Sequence, residues 1–156
     1  MRDQRFVARH RGGPLSRINH QRLAAWAADC AEHVLPLFEA RRRDSRPRQA
    51  IAVARAWARG EVTVGAAQKA AVAAHAAARA AKHPAAVAAA RAAGHAAATA
   101  HMAEHSLGPV IYGAKAVQAA GGSPEHERAW QFRQLPRGVR TLVKSAVAKR
   151  LTPHAL

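Results

Sequence analysis

The sequence predicts an all-α, single-domain bundle of about seven helices built around an alanine-rich antiparallel helix pair. Three observations carry this. Of the 38 residues from Ala66 to Ala103, 23 are alanine, the residue with the highest intrinsic helix propensity. Elsewhere the apolar residues recur at three- and four-residue spacing, with no convincing run of two-residue alternation. Capping residues, prolines and glycines divide the chain into helix-sized segments. At 156 residues the chain is long enough for one domain with one core.

Residues 1–14 are basic and end in Gly12-Gly13-Pro14. They read as a loosely attached N-terminal arm, with the helical domain over residues 15–156. From about Asn19 the residues Leu23, Trp26, Ala27, Cys30, Val34, Leu37 and Phe38 repeat at helical spacing, with Trp26 and Phe38 as core anchors. Pro36 is expected to kink or restart that helix. After the polar run Arg41 to Ser45, Ser45 can cap and Pro47 can open a helix to Gly60, whose buried face is Ile51, Ala54, Trp57 and Ala58. Thr63 caps a helix of about Val64 to Ala81, closed by Lys82 and His83 before Pro84. The second alanine helix is expected to run unbroken from Pro84 to Leu107 and to stop at Gly108-Pro109. A shorter helix then ends at Gly121-Gly122, and Ser123-Pro124-Glu125 starts one carrying Trp130 and Phe132, which Pro136 closes. The last helix places Val139, Leu142, Val143, Val147 and Leu151 on one face. Large apolar side chains lie in the flanking helices, which should wrap the alanine pair.

Charge is the second constraint. There are 25 Lys and Arg against 9 Asp and Glu, a formal +16, which suits an acidic or phosphate-bearing partner and equally suits a compositional bias toward arginine. Cys30 is the one cysteine, so no internal disulfide or cysteine-rich zinc fold is available, and a reducing, cytoplasmic setting is expected. No apolar run reaches membrane-spanning length, and the basic N-terminus lacks the apolar stretch of a signal peptide.

Chemistry in the alanine region must come from its exceptions. His101-x-x-Glu104-His105 has the spacing of a helical zinc motif. On an unbroken helix His95 would lie about 15 Å from His105, so no third ligand is visible and no metal is assigned. Arg91, His95, Met102 and His105, with His101 at the edge, form one polar stripe. Gln68, Val72, His75, Arg79 and Lys82 form another. Facing each other, they would make a His- and Arg-lined pocket for an anionic small molecule, with His75, Arg79, His95, His101, Glu104 and His105 as ligand or partner contacts. Facing outward they would be solvated, the arrangement favoured because burying several cations without carboxylates is costly.

A further stripe, Arg48, Arg55 and Arg59, could meet phosphate but has no interleaved aromatics, so nucleic-acid binding would be nonspecific at most. Asp29, Cys30 and His33 invite a nucleophile reading, yet Cys30 sits in the apolar series and reads as a core thiol. Phosphate loops, nucleophile elbows and paired carboxylates are missing, so no catalytic residue is assigned and the chain leans away from enzyme chemistry.

Several strings together carry a resemblance: Arg11-Gly-Gly13, Leu23-Ala-Ala-Trp26-Ala-Ala-Asp29-Cys30-Ala-Glu32-His33, Arg46-Pro-Arg48-Gln-Ala-Ile51, Trp57-Ala-Arg59-Gly60-Glu61, Gly94-His95-Ala-Ala-Ala-Thr99-Ala-His101, and Trp130-Gln131. The chain resembles the immunity-five-like, all-α group of immunity proteins from bacterial polymorphic toxin systems. That resemblance implies a small cytoplasmic helical protein that binds and neutralises a cognate toxin, without catalysis. A chain this basic would need an acidic surface on that toxin. The alternative is a helical protein whose His/Arg pocket takes an anionic metabolite, haem or a metal such as zinc, for self-resistance or as an enzyme of specialised metabolism.

Overall fold

The computed structural model describes residues Arg2–Leu151. They form seven α-helices: α1 (Arg17–Glu39), α2 (Arg46–Ala58), α3 (Val64–Ala80), α4 (Pro84–Ala98), α5 (Gly108–Ala119), α6 (Pro124–Arg133) and α7 (Arg140–Leu151). Short 3-10 turns lie at Gln4–Phe6, Arg9–Arg11, Ala103–Leu107 and Arg137–Val139. Among the described residues the one β feature is an isolated bridge between Ala8 and Leu15, and no helix is long and apolar enough to cross a membrane.

The helix starts follow the local chemistry. Ser16, Thr63 and Ser123 hydroxyls accept from the backbone N–H groups of Asn19, Ala66 and His126, satisfying donors that the first turn leaves free. At α2 the neighbouring Asp44 supplies this bond: its carboxylate accepts from Arg46 N–H at 3.0 Å, whereas Ser45 makes no side-chain cap. Pro36 does not restart α1. It falls in the last turn before Glu39, where little helix remains to be disturbed.

The alanine pair packs together, but its members differ in depth. Eleven of the fifteen residues of α4 are buried, because α1, α2, α3 and α5 all pack against it. Val87, Arg91 and His95, one stripe at four-residue spacing, are its partly open exceptions. By contrast α3 lies to one side, with Val72 at 67% exposure on its outer face. Alanine permits this closeness because each residue adds only a methyl, worth about 0.8 kcal/mol when buried. Val34, Leu35, Phe38 and Ile51 pack with the alanines, and a second core joins Phe6, Leu23, Trp26, Leu107, Val110, Val139 and Val143.

The structure corrects two expectations of chain path. The helix from Pro84 ends at Ala98 and does not reach Leu107; the chain turns over Thr99–His101, extends at Met102 and doubles back in the 103–107 turn. A tertiary bond helps to end it: the Thr99 carbonyl, which an unbroken helix would give to residue 103, accepts from buried His20 Nε2 at 2.6 Å. The basic first segment is not loose. Phe6, Val7 and Ala8 are buried, Leu15 N–H donates to the Val7 carbonyl and Arg9 N–H to that of Leu15, and Arg5 donates to Ser145 of α7. Gly12, at φ 86°, and Gly13, where a Cβ would stand 2.1 Å from the Val7 oxygen, make that reversal possible.

Two further glycines mark where helices meet rings. A Cβ on Gly108 would stand 2.3 Å from His95 Cγ, near the root of that side chain, and one on Gly94 would stand 2.7 Å from the outer atoms of the His75 ring. A root cannot swing aside, whereas a ring edge can. Gly108→Ala should therefore destabilise by about 3 kcal/mol and Gly94→Ala by about 1–2 kcal/mol, read as shifts in the urea midpoint. Equal small effects would contradict the packing described.

Candidate functional site

The turn after α4 builds a seam of histidines. Because the chain doubles back, His105 lies over His95, with the two Nδ1 atoms 3.3 Å apart. The sequence-based separation of about 15 Å assumed a straight helix and is corrected. His75 of α3 meets His95 edge-on at 5.1 Å between ring centres, and His101 lies 5.1 Å from His105. Tyr112 of α5 stacks on His95 at 5.2 Å. Arg91 donates to His75 Nδ1 at 3.0 Å, which leaves the proton of neutral His75 on Nε2.

Burial governs the charge of this seam. It pushes His75 and His95 down from 6.5 to about 4, with Arg91 adding most to the shift at His75 and His75 itself at His95. His101 and His105 are also lowered, again mainly by burial. The objection to buried cations therefore does not apply, since these rings are neutral near pH 7. His95, Met102, Glu104, His105, Tyr112 and Arg150 border a cleft of about 320 Å³. His101 Nδ1 and Ser106 Oγ are buried without a hydrogen-bond partner. Among the described residues no group of three or more His, Cys, Asp or Glu side chains is placed to hold a metal.

The other predicted residues are dispersed. Arg79 is exposed on α3, as are Gln68 and Lys82, although its charge still acts on His75 one turn earlier. Glu104 turns toward the N-terminal segment, accepting from Asp3 N–H at 3.1 Å and pairing with Arg150 at 3.4 Å. The stripe of Arg48, Arg55 and Arg59 is not free for phosphate: Arg48 holds Glu39, Arg55 holds both Asp29 and Glu32, and Arg59 holds Glu61. Cys30 is fully buried, and burial, followed by the Asp29 and Glu127 charges, raises its thiol well above the usual range. Its sequence neighbour His33 bonds Glu127 at 2.7 Å and stacks on Trp130 at 3.6 Å.

Sequence reasoning missed a second concavity. A cleft of about 650 Å³ opens where the N-terminal segment, the start of α1, the α2–α3 connection and the turn after α4 converge. Arg2, Arg9, His10, Arg11 and Arg17 line it, together with His20, His101 and Trp57, and no carboxylate does. Trp57 lies against the His20 ring at 4.6 Å. The available signal was the Phe6-Val7 pair inside the basic segment, an apolar anchor that a detached arm would not need.

A family model described as Imm-5 like putative immunity protein matches residues 13–138. The chain belongs to this family. No curated protein and no solved structure matches it.

The seam makes a pH-dependent contribution to stability. His75 and His95 have folded pKa values below their unfolded value of 6.5, so between about pH 4 and 6.5 the unfolded chain binds more protons. Their stabilising contribution is complete above pH 6.5 and is lost as the pH falls toward 4. Partial solvent access limits the loss to on the order of 1 kcal/mol for each ring. The melting temperature should fall across that window, and His95→Gln should flatten the fall; parallel profiles for the two proteins would refute it.

Proposed function

We propose that this protein binds and neutralises a cognate bacterial toxin without chemistry of its own. The observation that carries the reading is the family match over residues 13–138. Three features of the molecule support it. The fold is a packed bundle with its single thiol buried. Of its histidines, His95 and His105 engage one another in the seam, His20 a backbone carbonyl and His33 a carboxylate. Its surplus of positive charge favours a target with an acidic face, because opposite potentials speed encounter and exclude wrong partners. Coexpression with the toxin domain encoded beside the gene should restore growth of cells that the toxin alone kills. Killing undiminished by a soluble, folded immunity protein would end the proposal.

A second reading rests on the His95–His105 pair. Two neutral ring nitrogens 3.3 Å apart span the edge of a tetrahedron whose metal–nitrogen bonds are about 2.0–2.1 Å. Zinc titrated calorimetrically should then bind the native chain with 1:1 stoichiometry and bind His105→Ala at least tenfold more weakly. Equal binding by the two proteins, or none by the native chain, would remove this reading.

A further inference from the structure

The basic cleft deepens the toxin-binding reading and rests on it. We infer that the cleft between the N-terminal segment and the starts of α1 and α3 is the toxin-docking site, and that it takes an acidic segment whose carboxylates flank an apolar side chain.

Asp3, Asp29, Glu32, Glu39, Asp44, Glu61, Glu104 and Glu127 each hold a basic side chain of this chain. That is eight of the nine carboxylates in the sequence. None of them reaches Arg9, Arg11 or Arg17, which make no side-chain hydrogen bond or ion pair among the described residues. These guanidiniums border one concavity that contains no acidic group. Their mutual repulsion is uncompensated within the molecule. Guanidinium forks match carboxylates in geometry as well as charge, so an acidic partner supplies what is missing.

The backbone adds to the same field. The cleft receives the N-terminal ends of α1 and α3, through Arg17 on one and Thr63 and Val64 on the other. Neither helix has an acidic residue in its first turn. Arginine in the first turn of a 23-residue helix opposes the helix dipole and costs stability. A bound carboxylate would reverse that penalty.

The apolar component is Trp57, half-buried in the cleft wall with Val62 and with Val64, which is 39% exposed. An aromatic ring bordered by arginines is the composition of an interface anchor. The cleft also has two parts in sequence. Arg17, His20, Trp57 and His101 fall within the region matched by the family, whereas Arg2, Arg9, His10 and Arg11 precede its first matched residue.

The test measures binding of the inactivated toxin domain encoded beside the gene to four folded proteins: the native chain, Arg11→Glu/Arg17→Glu, Trp57→Ala, and Arg42→Glu/Arg43→Glu. The last makes the same change in net charge at the opposite end of α1, about 33 Å away. The cleft double variant should bind at least thirtyfold more weakly and Trp57→Ala at least fivefold, with the control within threefold of native. The native complex should also weaken with salt more steeply than the cleft variant. Equal loss in cleft and control variants would leave only general attraction and overturn the cleft. Native-level binding by both double variants would overturn the cleft while leaving toxin binding intact. No binding by the native chain would end both readings. Capture of duplex DNA that the cleft variant alone abolishes, with toxin binding unchanged, would reassign the cleft to nucleic acid. If charge reversal prevents folding, Arg11→Gln/Arg17→Gln replaces it, with at least a tenfold loss expected and native-level binding overturning the proposal.

Discussion

The close approach that alanine allows is the constraint on which the rest of the molecule depends. Helix α4 can touch four other helices only because it presents almost nothing beyond methyl groups. The same smallness gives it few features to fix its rotation or its end. One directional contact fixes its end, and others tie together the helices around it. His20 takes the Thr99 carbonyl at the C-terminal end of α4, and the Trp26 indole donates to the Gln131 carbonyl at 2.9 Å. The fully buried Gln131 amide reaches the Val110 carbonyl at 3.3 Å, crossing to α5 where Gly113 leaves it room. An alanine interface supplies proximity, and these polar ties supply register.

Neutrality of the histidine seam follows from the same packing. Rings placed against an alanine surface lose water without gaining a carboxylate, so the proton is what leaves. Most acidic residues are elsewhere, bound to arginines along α1, α2 and the connections, and Glu104, which borders the cleft beside His105, only partly offsets the effect of burial on that ring. Ion pairs run along α1 and α2, the interior carries uncharged imidazoles, and Arg9, Arg11 and Arg17 border a cleft that has no acidic group in its lining.

How much of this was legible in sequence depended on whether the deciding interaction was local. Helix starts at Ser16, Thr63 and Ser123 could be read because a cap and its donor lie three residues apart. The end of α4 could not, since no glycine or proline marks Thr99 and the group that takes its carbonyl is 79 residues away. That hidden break is why His75, His95, His101 and His105 could be grouped only as the less favoured of two arrangements, with His95 set too far from His105 to touch it. Arg48, Arg55 and Arg59 were correctly placed on one helix face. Their partners on α1 and beyond the helix end are tertiary facts that helical spacing does not encode.

The first fourteen residues show how a basic composition can mislead. Glycines, a proline and five charged side chains precede Leu15, which is the composition of a tail. Yet Phe6 at 2% exposure and the paired backbone of Val7 and Leu15 dock the segment on the bundle. Docking changes the physical meaning of its arginines. On a free tail they would sample many directions and attract any polyanion weakly. Fixed around Trp57 and the ends of two helices, they define a direction and a shape, and selectivity requires both. The charge of this chain therefore matters for function less by its sum than by where the folded N-terminal segment holds it.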